Sequence, residues 1–341
     1  MNFSLHSGGK EPIYKQLVSQ VEHALREGSL QSGEQLPSMN ELAARLDISR
    51  ETAKKAYNIL VERGAIVPKH GKGFYAANVQ QDVRPQVLVI FDKFSVYKQI
   101  LFNAFAQRLG ESAEITILNH NQSVDLLEYY LDVNLDHFDY YAIAPHFPLD
   151  ARTQEKAAKQ LSRIPNRKLI MLDRLMPDFP GHFGAVYQDF ENDIYSGLTQ
   201  GAEGPRKTGR LRVITLPSSL YGEQIQKGIQ RFVKEKQLPA QFLTQAPDDI
   251  LPGDTFLVLN SQLDAGLVEL VRKIQAAGLS IGKEVFIIAY NEADMYELVL
   301  GGLTTVSTDF REMGRLAADM ILSRRLGKVH CPFKMIRRST F

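Results

Sequence analysis

Cysteine is all but missing from this chain. Cys331 is the single one among 341 residues, so no intramolecular disulfide can form and no cysteine-rich zinc site is possible. That usage fits a reducing compartment. No stretch approaches the ~18 apolar residues needed to cross a bilayer, and Met1 to Pro12 lack the apolar core of a signal peptide; a cytoplasmic protein without a membrane partner is expected. The eight His are scattered without an H-x-x-x-H pair, and no G-x-S-x-G elbow occurs. The run His70-Gly71-Lys72-Gly73 has two glycines but neither the preceding strand nor the following helix of a phosphate loop. No catalytic residue, metal site or cofactor is therefore predicted. An excess of one charge is missing too: the formal net charge is +1, so the molecule as a whole does not advertise a polyanionic partner. The charge is unevenly placed, however. From Arg45 to Lys72 seven Lys or Arg stand against Asp47, Glu51 and Glu62, a local excess of four. A basic patch on a neutral body suits contact with DNA through one face.

Within that patch, Ser49 to Arg63 has the pattern of a helix that packs on one side and presents the other. Ser49 is a good N-cap; Ala53, Ala56, Tyr57 and Leu60 fall at helical spacing, while Arg50, Glu51, Lys54, Lys55 and Asn58 lie away from that stripe. Gly64 follows where a helix end favours a left-handed residue. Upstream, Ser38 and Glu41 form a capping box, which predicts a second helix from about Met39 to Leu46 with Leu42, Ala43 and Leu46 inward. Asp47 and Ile48 leave room only for a tight turn, and two helices so joined make a helix-turn-helix. Residues 65–67 and 74–76 read as short strands around a basic, glycine-bearing tip at 68–73. A leading helix is predicted from Pro12 to Arg26, with Ile13, Leu17, Val21, Ala24 and Leu25 as its packing stripe.

Taken together, Pro12 to Ala76 resembles the winged helix-turn-helix of GntR-type bacterial transcription regulators: the leading helix, the Leu36-Pro37-Ser38 entry, the Ser49-Arg50 start and the tip at 69–74 occur in the family's order. The resemblance implies that the helix entry, the start of the recognition helix and the wing approach DNA, which carries over to Ser38, Asn40, Ser49, Arg50, Thr52, Lys54, His70, Gly71 and Lys72. Asn40 departs from the family, which often has Arg there.

The length calls for two or three domains at roughly 100–200 residues each. Residues 77–84 carry few large apolar groups and read as a linker between a first domain at 1–76 and a second at 85–341. In the second, apolar runs of about five residues alternate with helices. Strands are predicted at 87–91, 114–118, 140–144 and 168–172, with helices at 96–109, 124–134 and 150–162 between them. After a polar region at 201–209 the alternation resumes, with strands at 211–216, 255–259 and 285–289 and helices near 223–236 and 265–277. This is the signature of βαβ units and a largely parallel sheet. Two such sets predict two lobes with a cleft where strand C-termini meet. Tyr221-Gly222-Glu223 reads as a helix start only.

Residues 85–341 are similar to the effector domain of LacI-type regulators, itself like periplasmic sugar-binding proteins. The match rests on Asp173-Arg174 after a strand, Tyr187-Gln188-Asp189 before a helix, Asn291-Glu292 after a strand, and the terminal segments 303–314 and 332–340. A GntR-like head on a LacI-like effector domain is also the arrangement of arabinose-responsive repressors. The resemblance implies a ligand site built from Asp92, Phe94, Tyr97, Asp173, Arg174, Asn291 and Phe310, in which carboxylates, amides and Arg pair with hydroxyls and a ring packs on the sugar. Asp173-Arg174 reads equally as a strand-end ion pair, and Phe310 as core. Asn291 stands where Asp is usual, and Ile225, three before Gly228, where Arg is common; the ligand need not be the family's usual sugar.

The expected fold is thus an α+β winged helix-turn-helix domain followed by a two-lobed α/β periplasmic-binding-protein-like domain. The expected function is a homodimeric transcription regulator, a repressor on palindromic operator DNA, released by a monosaccharide. Within regulation, an activator or a sensor of a nonsugar metabolite such as a nucleoside is the alternative; from another class, an α/β enzyme carrying a DNA-binding domain.

Overall fold

The computed structural model describes residues 3, 5, 12–26, 28–77, 84–202, 209–215, 219–259 and 265–341. The chain divides into two units, Met1–Gln86 with Tyr129–Phe138, and Val87–Glu128 with Asp139–Phe341. Of the expected linker only Ala77 and Arg84 fall among the described residues.

Residues 12–77 of the first unit hold three helices and a hairpin: α1 (Ile13–Arg26), α2 (Met39–Leu46), α3 (Arg50–Glu62), β1 (Ile66–Lys69) and β2 (Gly73–Ala76). Its core is the set of stripes read from the sequence, with Leu17, Val21, Leu42, Ala53, Ala56, Tyr57 and Leu60 all buried. Both helix starts are chemically fixed. Ser38 Oγ accepts from the Glu41 amide at 3.2 Å while the Glu41 carboxylate accepts from the Ser38 amide at 2.7 Å, and Ser49 Oγ accepts from the Thr52 amide at 3.1 Å. These bonds satisfy amides that a helix otherwise leaves orphaned. Asp47, left-handed at φ 52°, ends α2 and makes the sharp turn into α3. The strands run antiparallel from Ile66↔Ala76 to Lys69↔Gly73, so the wing is longer and its tip tighter than the sequence predicts. A third segment, 33–36, pairs on the far side of β2 through the bridge Gln35↔Tyr75.

The second unit is built on two six-stranded sheets. The elements of the first lobe are β3 (Gln86–Phe91), α4 (Val96–Leu109), β4 (Glu114–Asn119), α5 (Val124–Asn134, of which the part from Tyr129 counts with the first unit), β5 (Tyr140–Ile143), α6 (Ala151–Leu161), β6 (Leu169–Asp173) and β7 (Gly184–Tyr187). Then follow α7 (Phe190–Ala202), β8 (Arg210–Ile214), α8 (Gly222–Glu235), β9 (Ala240–Leu243), β10 (Asp254–Val258), α9 (Ala265–Ala276), β11 (Phe286–Tyr290), β12 (Thr304–Thr308), α10 (Phe310–Ser323), β13 (Lys328–His330) and β14 (Phe333–Ile336). The sheet orders are β13-β7-β6-β5-β3-β4 and β14-β12-β11-β10-β8-β9. Central pairings are parallel in both, and their strands are buried along their length, as a sheet covered by helices on both faces requires.

The lobes are not consecutive in sequence. The chain crosses from the first to the second at 188–189, before the region at 201–209 where the sequence pattern restarts. It crosses back at Asp309 and returns through Cys331-Pro332. The three crossings lie side by side: the Cys331 amide donates to the Tyr187 carbonyl at 2.7 Å and the Asp309 amide to the Pro332 carbonyl at 2.9 Å. Each lobe thereby receives a helix through a crossing. α10 packs on α4 and α7 on α8, both so closely that a glycine is needed: a Cβ on Gly314 would lie 2.2 Å from the Leu101 carbonyl oxygen, and one on Gly228 2.2 Å from that of Glu191.

Candidate functional site

In the first unit, Tyr57 ties the presenting helix to its scaffold. Its hydroxyl donates to the Pro37 carbonyl at 2.7 Å and its ring meets Phe74 of the wing edge-on at 4.9 Å. With that face fixed, Arg50, Lys54, Lys55 and Asn58 of α3 are exposed, as are Ser38, Asn40, Ser49, His70, Gly71 and Lys72, while Thr52 is half-buried. The Thr52 hydroxyl is engaged with Ser49 Oγ at 2.8 Å. Gly71 has φ +69°, and nothing within the chain stands within 4 Å of where a Cβ would be; the backbone conformation, not crowding, calls for glycine. Gln35 supports the tip by donating from its amide to the Lys72 carbonyl at 2.8 Å. The result is a helix N-terminus and a wing that expose Arg50, Lys54, His70 and Lys72.

In the second unit a cavity of about 640 Å³ lies between the two lobes. The first lobe contributes Asp92, Tyr97, His146 and Asp173; the second contributes Phe190, Tyr221, Gln224, Ile225, Tyr290 and Asn291. These residues follow strand ends, because in open α/β sheets that is where loops leave room for a ligand.

The first-lobe wall is organised by Lys98, whose side chain is 0% exposed. Its ammonium pairs with Asp173 and with Asp92 at 3.5 Å. Burial works against the charge on Lys98, but Asp173 and Asp92 more than offset it and hold its pKa above the ordinary lysine value. Burial likewise pushes the Asp173 carboxyl up, yet Lys98 and His146 outweigh it, so Asp173 is held well below the usual carboxylate range. Its two oxygens are fully used: Oδ2 meets Lys98 and His146 Nε2, the latter at 2.9 Å, and Oδ1 accepts from the Gln188 amide. Gln188 in turn accepts from the Thr308 hydroxyl at 2.9 Å. His146 is held below its ordinary pKa by burial and by Lys98 and is neutral at pH 7. An ionised Asp173 can only accept. His146 Nε2 must then carry the proton, and Nδ1 accepts from the Tyr221 hydroxyl at 2.7 Å.

Of the residues named from the sequence, Asp92, Tyr97, Asp173 and Asn291 line the cavity. The carbonyl oxygen of the Asn291 side chain and Asp92 Oδ1 are buried without a hydrogen-bond partner. Arg174 does not pair with Asp173: it turns away to the Pro145 carbonyl and to Gln154, each at 2.9 Å, with its guanidinium 5.6 Å from the Tyr221 ring. Phe310 is buried in the first lobe's core and stacks on Tyr97 at 4.9 Å, and Phe94 is 48% exposed; neither forms the cavity wall. Sequence reasoning missed Lys98, His146 and Tyr221. Lys98 had a legible signal, since it shares the buried stripe of α4 with Leu101, Phe105 and Leu109. Tyr221 is more than a helix start, for its ring stacks on Phe190 at 4.0 Å and 8°; nothing in its local sequence marks this.

A winged helix-turn-helix unit and a two-sheet α/β unit with an interlobe cavity define the class, a DNA-binding head joined to a ligand-cleft domain. Residues 13–76 match the bacterial regulatory proteins of the gntR family, and residues 201–337 match the periplasmic binding protein-like domain. The chain thus carries a gntR-family DNA-binding domain and a periplasmic-binding-protein-like domain. It is 31% identical over 126 residues to the HTH-type transcriptional regulator TreR of Bacillus subtilis (strain 168), covering 36% of this chain and 47% of that protein. It is 36% identical over 64 residues to the HTH-type transcriptional repressor YtrA of the same organism, covering 19% and 49%. The chain spans about half or less of the length of these curated relatives, which are named as regulators and repressors, not enzymes. Among solved structures, a dimeric Lac repressor with an 11-residue C-terminal deletion aligns with a TM-score of 0.59 at 16% identity, over 75% of this chain and 98% of that one. A Lac repressor dimer bound to operator and the anti-inducer ONPF aligns with a TM-score of 0.59 at 16% identity, over 77% and 95%. At that identity the likeness is one of fold. No helix among the described residues is long and apolar enough to cross a membrane.

Proposed function

We propose that this protein is a cytoplasmic, homodimeric transcription regulator, a repressor whose grip on a palindromic operator is released by a small sugar bound between the lobes of its second unit. The observation that carries the reading is the cavity of about 640 Å³ walled by both lobes, in a chain whose other unit presents an exposed basic helix start and wing. A ligand bridging two lobes changes their equilibrium only if it binds one arrangement better than the other, and the same coupling then links ligand and operator affinity in both directions. In a dimer, lobe movement alters the spacing of the two heads, which must meet half-sites about one DNA turn apart or a multiple of it. The names of the matched relatives, repressors among them, and the Lac repressor likeness support this reading. Asp92, Tyr97 and Asn291 are the proposed ligand contacts, with Asp173 holding the wall in place. Arg50 and Thr52 address base edges; Lys54 and Lys72 address phosphates.

The test is operator affinity with and without saturating sugar, after a thermal-shift screen of monosaccharides; a ligand at a hundred times its dissociation constant adds about 2.7 kcal/mol to stability. A coupling of about 1–3 kcal/mol weakens operator binding some 5–150-fold. Asp173→Ala is expected to lose the response while sugar-free DNA binding persists. A wild type whose DNA affinity ignores every sugar it binds overturns the mechanism, and turnover of the bound compound would point to an enzyme.

A further inference from the structure

The bond between Tyr221 and His146 joins the two lobes across the cavity. His146 follows β5 in the first lobe, and Tyr221 precedes α8 in the second. Each partner is prepared by its own lobe. On one side Lys98 keeps Asp173 ionised, Asp173 accepts a hydrogen bond from the Nε2–H of His146, and Nδ1 is left as an acceptor facing the cavity. On the other, the Tyr221 ring stacks on Phe190 of its own lobe at 4.0 Å, and its hydroxyl meets that acceptor at 2.7 Å. Both side chains are buried and both line the cavity. The Tyr221 hydroxyl and His146 Nδ1 lose hydrogen bonds to water on closure and replace them with the bond to each other.

We propose that Tyr221 and His146 form a specificity-determining pair, a polar latch whose making and breaking sets how readily the cleft opens and so how tightly it holds an effector. The hydroxyl donates and the imidazole accepts, so an effector enters by offering a hydroxyl or amide that joins this pair or takes the place of one member. An apolar ligand that parted them would leave the Tyr221 hydroxyl and His146 Nδ1 unpartnered. Asp173, with both oxygens occupied, acts through His146 as a positioning residue. The effector part of the inference rests on the sugar-sensing reading above; the latch itself does not.

The experiment uses the full chain as wild type, Tyr221→Phe and His146→Asn. Phe keeps the ring stack and removes only the hydroxyl, so the variant is expected to fold. In ¹⁵N-histidine spectra the resonance that disappears in His146→Asn identifies His146; it should show the Nε2–H tautomer in wild type and a shifted Nδ1 in Tyr221→Phe. Amide exchange at His146, Phe147, Leu149 and 221–226 should accelerate roughly 2- to 13-fold in Tyr221→Phe, the span of one net hydrogen bond. Affinity for whichever of D-glucose, D-galactose, L-arabinose or D-ribose binds wild type should fall by a similar factor. An unshifted His146 Nδ1 together with unchanged exchange overturns the latch. If none of the four sugars binds wild type while the exchange and nitrogen shifts behave as stated, the latch stands and the sugar reading loses its support.

Discussion

Asp173 and Asn291 hold the same place in the two lobes. Each stands at the end of the third strand of its sheet, β6 or β11, and each has a backbone φ of +69°. That left-handed conformation costs most residues about 1–2 kcal/mol, and Asn and Asp are the non-glycine residues that tolerate it best. The polar residue type thus serves two ends, turning the chain off the strand and facing the cavity. In the first lobe the carboxylate is neutralised by Lys98; in the second, an amide leaves its carbonyl oxygen unpartnered.

From this follows a separation of fold and function at Asn291. Asn291→Gly keeps the left-handed turn and should leave the urea midpoint close to wild type, whereas Asn291→Val should cost about 1–2 kcal/mol. Both should lose effector response under the proposed function. A valine protein as stable as wild type would show that the turn carries no strain.

For DNA, Arg50→Ala should relax sequence preference at about 1–3 kcal/mol, and Lys72→Ala should weaken all duplexes alike while lowering the salt slope by about one unit. Titrations at several salt concentrations against selected and random duplexes measure both. Unchanged preference in Arg50→Ala removes that residue from base reading.

The wing tip gives a sharper version of the glycine test. Since Gly71 is left-handed with open space around it, Gly71→Asn should fold and retain the tip. Gly71→Val should fold, by circular dichroism, with a distorted tip and poor DNA binding. Full affinity in the valine protein would reduce Gly71 to a turn residue without a role at DNA.

Stability should fall in acid through His120. Burial pulls its pKa down to about 4 from an ordinary 6.5. Both ring nitrogens are used in the neutral form, Nε2 at 2.9 Å from the Ala144 carbonyl and Nδ1 accepting from the Gln122 amide at 3.1 Å. The unfolded chain binds this proton from pH 6.5 downward and the folded chain only near 4. The contribution is therefore present above pH 6.5 and lost as pH falls toward 4, on the order of 3 kcal/mol in all. His146, also depressed, adds with the same sign. Denaturant unfolding at pH 7.5 and 4.5 should show a smaller pH difference in His120→Gln than in wild type; an equal difference would exclude His120 as a source.

The sequence by itself determined what depends on near neighbours. The capping box at Ser38 and Glu41, the cap at Ser49 and the apolar stripes of α1 and α3 are local pairings at fixed spacing, so they could be read directly. The predicted helices at 96–109 and 124–134 match α4 and α5 to the residue, the first ending at Gly110, where a helix end favours glycine. Asp92, Tyr97, Asp173 and Asn291 came from the resemblance to LacI-type effector domains; each lies at the end of a buried strand or in the loop and helix start that follow it. Tertiary structure decided the rest. The interleaving of the lobes rests on α10 and α7 each packing across a crossing through Gly314 and Gly228, a fit between surfaces far apart in sequence. The occupation of Asp173 by Lys98, 75 residues away, and of His146 by Tyr221, also 75 away, is a matter of which loops the two sheets bring together. Periodicity reports which face of an element is buried; it does not report what lies opposite, and the charge, tautomer and reach of the cavity's side chains are set by what lies opposite.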